Sequence, residues 1–152
     1  MKQKFYIYTD GGARGNPGPA GSGAVVTDAK GVVVAEAHKA LGVQTNNFAE
    51  YQAVIVGLEA LKRAIGREKI GDADIEIRMD SELVQRQLSG KYQIKEETLW
   101  PMFIKIWNLR VSEFPHVSFV HIPRENNKHA DKLSNDAMDE SERQLKGNKT
   151  LF

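Results

Sequence analysis

Four acidic residues, Asp10, Glu50, Asp80 and Asp131, stand where a carboxylate could do chemistry. Asp10 closes the apolar run "KFYIYTD" and Asp80 closes "DIEIRMD", while Glu50 and Asp131 fall near the starts of helix-like segments. Ligands of open α/β sheets collect at the carboxyl ends of strands, so two parallel neighbouring strands would face Asp10 and Asp80 across one crevice. Acids gathered there would raise one another's pKa unless a divalent cation balanced them. An all-oxygen donor set suits a hard ion such as magnesium or manganese. A pair of such ions roughly 3.5–4 Å apart activates water and stabilises a leaving oxygen in phosphodiester hydrolysis. The same positions also suit acids that merely cap helices or end strands, and spacing alone does not choose between the two.

The elements that must position these residues follow from periodicity. Residues 4–10 alternate and are rich in aromatic and β-branched types, which predicts a strand ending at Asp10. "SGAVVTD" and "VVVAEAHKA" flank "AKG", a hairpin signal. "TNNFAEYQAVIVGLEALKRAI" reads as a helix: Tyr51, Val54, Ile55, Leu58, Leu61 and Ile65 recur at helical spacing, and Asn46 or Asn47 can cap it. "GREKIGDA" reads as a loop, residues 74–80 as a fourth strand, and "SELVQRQLS" as a short helix capped by Ser81 and ended by Gly90. "EETLWPMFIKIWNLRVSEF" is a further helix with Pro101 near its start and Trp100 and Trp107 expected in the core. "HVSFVHIP" is a fifth strand. A last helix follows with Ala130, Leu133, Ala137 and Met138 facing inward, and a polar tail is expected over residues 141–152. The order βββαβαβα describes an α/β domain, a mixed sheet with helices packed on it.

Composition narrows the classes. The 152 residues suit one domain, and the absence of cysteine excludes disulfides, thiolate zinc sites and a cysteine nucleophile. No stretch reads as a signal peptide or membrane span, so a soluble, cytoplasmic protein with no membrane partner is expected. The net charge of +1 is far from the basic balance of dedicated nucleic-acid binders. A polyanion would have to be held by a local patch, for which Lys91, Lys95, Lys105 and Arg110 are candidates, partly offset by Glu96 and Glu97. The glycine-rich "YTDGGARGNPGPAG" lacks the Lys-Ser/Thr ending of a phosphate-binding P-loop and runs into a strand, which excludes that function.

"TDGGARGNPGPAG", "TNNFAEYQA", "DSELVQRQLSGKYQIK" and "HIPRENNKHADKLSN" occur in an order and spacing that resemble type 1 ribonuclease H, from about Lys4 to Asp139. The resemblance implies a ribonuclease H-like fold: a five-stranded mixed sheet, second strand antiparallel, with helices on both faces. It implies that Asp10, Glu50, Asp80 and Asp131 are catalytic metal ligands for two Mg2+ ions, with Mn2+ as a substitute. The substrate it implies is an RNA–DNA hybrid whose RNA strand is cut, leaving 5′-phosphate and 3′-hydroxyl ends. Asn16, Asn46 and Asn47 would then meet the minor groove, Thr45 a phosphate of the DNA strand, and Gly11 and its neighbours would let backbone approach the nucleic acid.

The chain departs from the commonest family pattern in two places. "SGKYQIKEE" leaves no room for the basic helical handle of many members, so the chain resembles a handle-lacking branch that can extend to double-stranded RNA. The auxiliary histidine of the family has no single counterpart: Arg124 is the expected replacement, His121 the runner-up, and His129 is expected at the surface. A monomer is the default expectation. A hybrid-binding module without catalysis is the rival reading, disfavoured because clustered acids would repel a phosphate backbone.

Overall fold

A computed structural model describes residues 2–150, with side chains described through residue 147. Strands β1 (Lys4–Ala13), β2 (Gly18–Asp28) and β3 (Val33–Gln44) open the chain and are followed by helices α1 (Asn46–Ile65) and α2 (Arg67–Ile70). Strand β4 (Asp74–Met79), helices α3 (Glu82–Leu88) and α4 (Trp100–Ser112), strand β5 (Val117–His121) and helix α5 (Lys128–Thr150) complete it. The five strands form one sheet in the order β3-β2-β1-β4-β5. Strand β2 runs antiparallel to β1 and β3, whereas β1, β4 and β5 are mutually parallel.

The sheet is covered on both faces. Phe5, Ile7, Ala24, Val26, Ile75 and Ile77 pack with Tyr51, Val54, Leu58 and Leu61 of α1 into the main core. The opposite face of β1 and β2 receives α5, whose inward side chains are Ala130, Ser134, Ala137, Met138 and Ser141. This double cover explains why β2 is buried almost continuously instead of alternating.

The glycines are spent on this packing. Strand β1 does not stop at Asp10 but continues through Gly11 and Gly12 to Ala13, and β2 begins at Gly18. A Cβ on Gly11 would lie 2.3 Å from the backbone carbon and oxygen of Ala49, and one on Gly23 would lie 2.6 Å from the Ala130 oxygen and the Ser134 nitrogen. Helices α1 and α5 therefore sit directly on strand backbone, and this internal contact by itself requires glycine at these positions.

Four further expectations are corrected. Thr45, not Asn46 or Asn47, caps α1 by accepting from the Phe48 N–H at 3.2 Å. The segment after α1 contains the short helix α2 in place of a plain loop. Trp100 and Trp107 are 45% and 55% exposed, because α4 packs through Met102 and Ile106 and turns the opposite stripe outward with Ile104 and Val111. Leu133 faces the sheet as expected, with its Cβ over Gly23, but is only half-buried, and its neighbour Ser134 is fully buried. Residues 141–150 continue α5 where a tail was expected, because Ser141 is an interior residue: its hydroxyl donates to the Ala20 carbonyl and accepts from the Leu41 and Gly42 N–H groups. Residues 151 and 152 lie outside the described residues.

Candidate active site

The sheet order places Asp10 and Asp80 together. Thr9 and Met79 are register partners in the parallel β1–β4 pair, so the next residue on each strand emerges at the same end of the sheet. Glu50 reaches this point because α1 lies on Gly11, and the buried Ser22 hydroxyl pins the helix by donating to the Ala49 carbonyl at 2.6 Å. Ser81 caps α3 through the Val84 N–H at 3.2 Å, which turns the chain sharply after Asp80. Asp131 sits at the exposed start of α5, where its N–H donates to the Asn127 carbonyl.

Asp10, Glu50 and Asp80 line a void of ≈ 10 Å³ with Thr9, Met79 and Ser81, about the space of one water-sized group. Burial, reinforced by the charges of Asp80 and Asp131, pushes the Asp10 carboxyl up to about 8, while the Ser134 hydroxyl pulls it the other way. Burial and then Asp80 raise Glu50 to about 7, opposed by Ser81 and by the positive charge of Arg124. Glu50 Oε2 is buried without a hydrogen-bond partner. Among the described residues no three acids stand close enough to form a finished coordination shell. The donor chemistry nevertheless fits a hard divalent cation: the oxygens are anionic, two of the acids are held above their ordinary range, and one oxygen is orphaned.

The other expected site residues divide into those near this point and those elsewhere. Arg124, in the short turn Arg124–Asn126, is close enough for its charge to act on Glu50. His121 is exposed at the end of β5 beside Met79. His129 pairs with Glu36 at 2.6 Å. Asn16 and Asn46 tie the turn before β2 to α1: Asn16 Oδ1 accepts from the Asn46 N–H at 3.0 Å, and Asn46 Oδ1 accepts from the Ala13 N–H at 2.8 Å. Asn47 faces a cleft of ≈ 550 Å³ that is also lined by Gln87, Lys91, Tyr92 and Lys95. The basic patch is thereby split, since Lys105 lies 4.0 Å from Glu59 and Arg110 lies over the Phe119 ring.

Two residues at the site escaped the sequence reading. Asn127 is buried and donates from Nδ2 to the Thr9 carbonyl at 2.8 Å and to Asp80 Oδ2 at 3.4 Å, joining the ends of β1 and β4 to the start of α5. Ser134 is also buried and donates to Asp10 Oδ2 at 2.9 Å. Asn127, Asp131 and Ser134 recur at i, i+4 and i+7, one helical face, and that polar spacing was the signal available in the sequence.

Residues 8–137 match the family described as Reverse transcriptase-like. The chain is 42% identical over 137 residues to the bifunctional protein Rv2228c of Mycobacterium tuberculosis, covering 90% of this chain but only 36% of that protein, so it spans about a third of that relative's length. It superimposes on the crystal structure of LC11-RNase H1 in complex with RNA/DNA hybrid with a TM-score of 0.86 at 50% identity, covering 90% of this chain and 98% of the other. It is also 31% identical over 152 residues to the ribonuclease H of Hydrogenovibrio crunogenus, covering 91% of this chain and 97% of that enzyme. With a superposition that covers nearly all of a ribonuclease H1 chain and a ribonuclease H relative matched along nearly its whole length, the chain belongs to the ribonuclease H family.

Proposed function

We propose that the chain is an endoribonuclease that hydrolyses the RNA strand of RNA–DNA hybrids, with magnesium, or manganese in its place, held by Asp10, Glu50, Asp80 and Asp131. The observation that carries this reading is the buried pair of Asp10 and Glu50. Both are held above the ordinary carboxylate range and one oxygen of Glu50 has no partner, a condition that a divalent cation relieves. Held by these four carboxylates, a pair of such ions would supply an activated water and charge stabilisation of the leaving oxygen, the chemistry that leaves 5′-phosphate and 3′-hydroxyl ends.

The chain's own groups bind and orient. Asp10 and Asp80 stand on adjacent parallel strands, Glu50 enters from α1, and Asp131 approaches from the exposed side. A guanidinium is a fixed positive charge, so the role of Arg124 is to stabilise charge on the phosphate and not to carry a proton; His121 is the second candidate. Asn16, Asn46 and Asn47 offer amides to the minor groove, where the 2′-hydroxyl both donates and accepts, and Thr45 lies toward a backbone phosphate. The adjoining cleft, with Lys91, Lys95 and Tyr92, gives the second strand charge and a stacking surface. The hybrid bound to LC11-RNase H1 supports the substrate class.

The test is cleavage of a labelled RNA–DNA hybrid beside the same RNA in an RNA–RNA duplex. Wild type and Asp10→Asn are compared with magnesium, manganese or chelator at low salt. Metal-dependent cutting of the hybrid's RNA that Asp10→Asn abolishes is the expected result. Binding of hybrid by folded wild type without cutting under any metal condition would overturn the reading in favour of a non-catalytic module.

A further inference from the structure

We propose that Ser134 is a positioning residue for Asp10: the hydroxyl carried by α5 fixes one carboxylate oxygen so that the other is presented to the cation. The inference rests on the proposed metal-binding role of Asp10, and it concerns a residue outside the four acids.

The placement is built from both sides. Asp10 is the register partner of Gly23 in the β1–β2 pair. Because Gly23 has no side chain, the turn of α5 from Ala130 to Ser134 lies directly on β2 there, with the Ser134 nitrogen 2.6 Å from where a Cβ would stand. The same glycine that faces Asp10 therefore seats the serine beside it. Ala130, Ser134 and Ala137 are fully buried, so α5 has no freedom to slide at this point. The Ser134 hydroxyl has one proton and two acceptors in reach, Asp10 Oδ2 at 2.9 Å and the Asp131 carbonyl at 2.8 Å. With the hydroxyl donating to Oδ2, Asp10 Oδ1 is the oxygen left for the cation, and the Asp131 carbonyl on the same helical turn keeps the serine side chain turned toward this point.

A serine in a helix often bonds back to a carbonyl three residues earlier merely to satisfy itself. The two roles differ in what substitution does. If Ser134 only satisfies itself, Ser134→Ala leaves metal affinity alone. If it positions Asp10, Ser134→Ala weakens metal binding, by about 10–100-fold if it behaves as other hydrogen bonds to metal ligands do.

The experiment is calorimetric titration of Mn2+ into the protein without nucleic acid, for wild type, Ser134→Ala, Asp10→Asn and the double variant, each checked for folding by circular dichroism. The expected outcome is weaker binding in Ser134→Ala, little additional loss when Ser134→Ala is added to Asp10→Asn, and an unchanged KM for hybrid at saturating metal. Mn2+ affinity in Ser134→Ala within twofold of wild type overturns the proposal. A full additional loss in the Asp10→Asn background overturns it as well, since the serine would then act elsewhere. If wild type binds no Mn2+, or Asp10→Asn binds it as wild type does, the metal-site reading itself fails and the Ser134 role fails with it.

Discussion

Asp10 should destabilise the metal-free protein in a pH-dependent way, and Asp10→Asn should remove that burden. An ordinary aspartate has a value of 3.8, and in the folded chain burial and then Asp80 lift it to about 8. Between these values the folded state holds a proton that the unfolded state has released. The unfolded state binds fewer protons, so stability falls as pH rises through this window and levels off above about 8. Each pH unit inside the window corresponds to about 1.4 kcal/mol for an isolated group. Sharing of protons with the neighbouring acids reduces this, so the penalty near neutrality is on the order of 2–4 kcal/mol. For a chain of this size that corresponds to several degrees in Tm, at about 2–4 °C per kcal/mol. The assay is thermal unfolding in chelator at pH 5, 7 and 8.5 for wild type and Asp10→Asn. The variant should melt higher, with the gap widening from pH 5 to pH 8.5. A gap that is absent, reversed or shrinking with pH would refute the electrostatic account of the site.

Gly11→Ala should be among the most damaging single changes, because its Cβ would stand 2.3 Å from the Ala49 backbone. A loss above about 3 kcal/mol in denaturant unfolding, or failure to fold, is expected, and near-wild-type stability would show that α1 is not seated on this strand. Asn127→Ala removes the hydrogen bonds to the Thr9 carbonyl and to Asp80, so a loss of about 1–3 kcal/mol is expected from the same assay, together with reduced cleavage. Replacing Lys91 and Lys95 together by alanine should weaken hybrid binding while leaving Mn2+ binding unchanged. It should also flatten the slope of log K against log salt by roughly 1–2, and an unchanged slope would remove the cleft from the substrate path.

The parts of this protein that depend on neighbours in sequence could be read from it directly. The alternating run that leads up to Asp10, the helical recurrence from Tyr51 to Ile65 and the Ser81 cap are decided by backbone geometry over a few residues, and they stand where expected, although β1 runs past Asp10 to Ala13. The strand-end positions of Asp10 and Asp80 likewise implied a shared crevice once the strands were parallel neighbours, as they are. What sits opposite each element was settled only by tertiary packing. Gly11 looks like the start of a loop until α1 is seen resting on it, as α5 rests on Gly21 and Gly23 of the facing strand. In α4 the apolar residues surround the helix, so local sequence does not say that Met102 and Ile106 face the core while Trp100 and Trp107 face outward. Asn127 and Ser134 are distant in sequence from the acids they touch. Their contacts exist because sheet order and helix seating bring one face of α5 over the ends of β1 and β4, and no local propensity encodes that meeting.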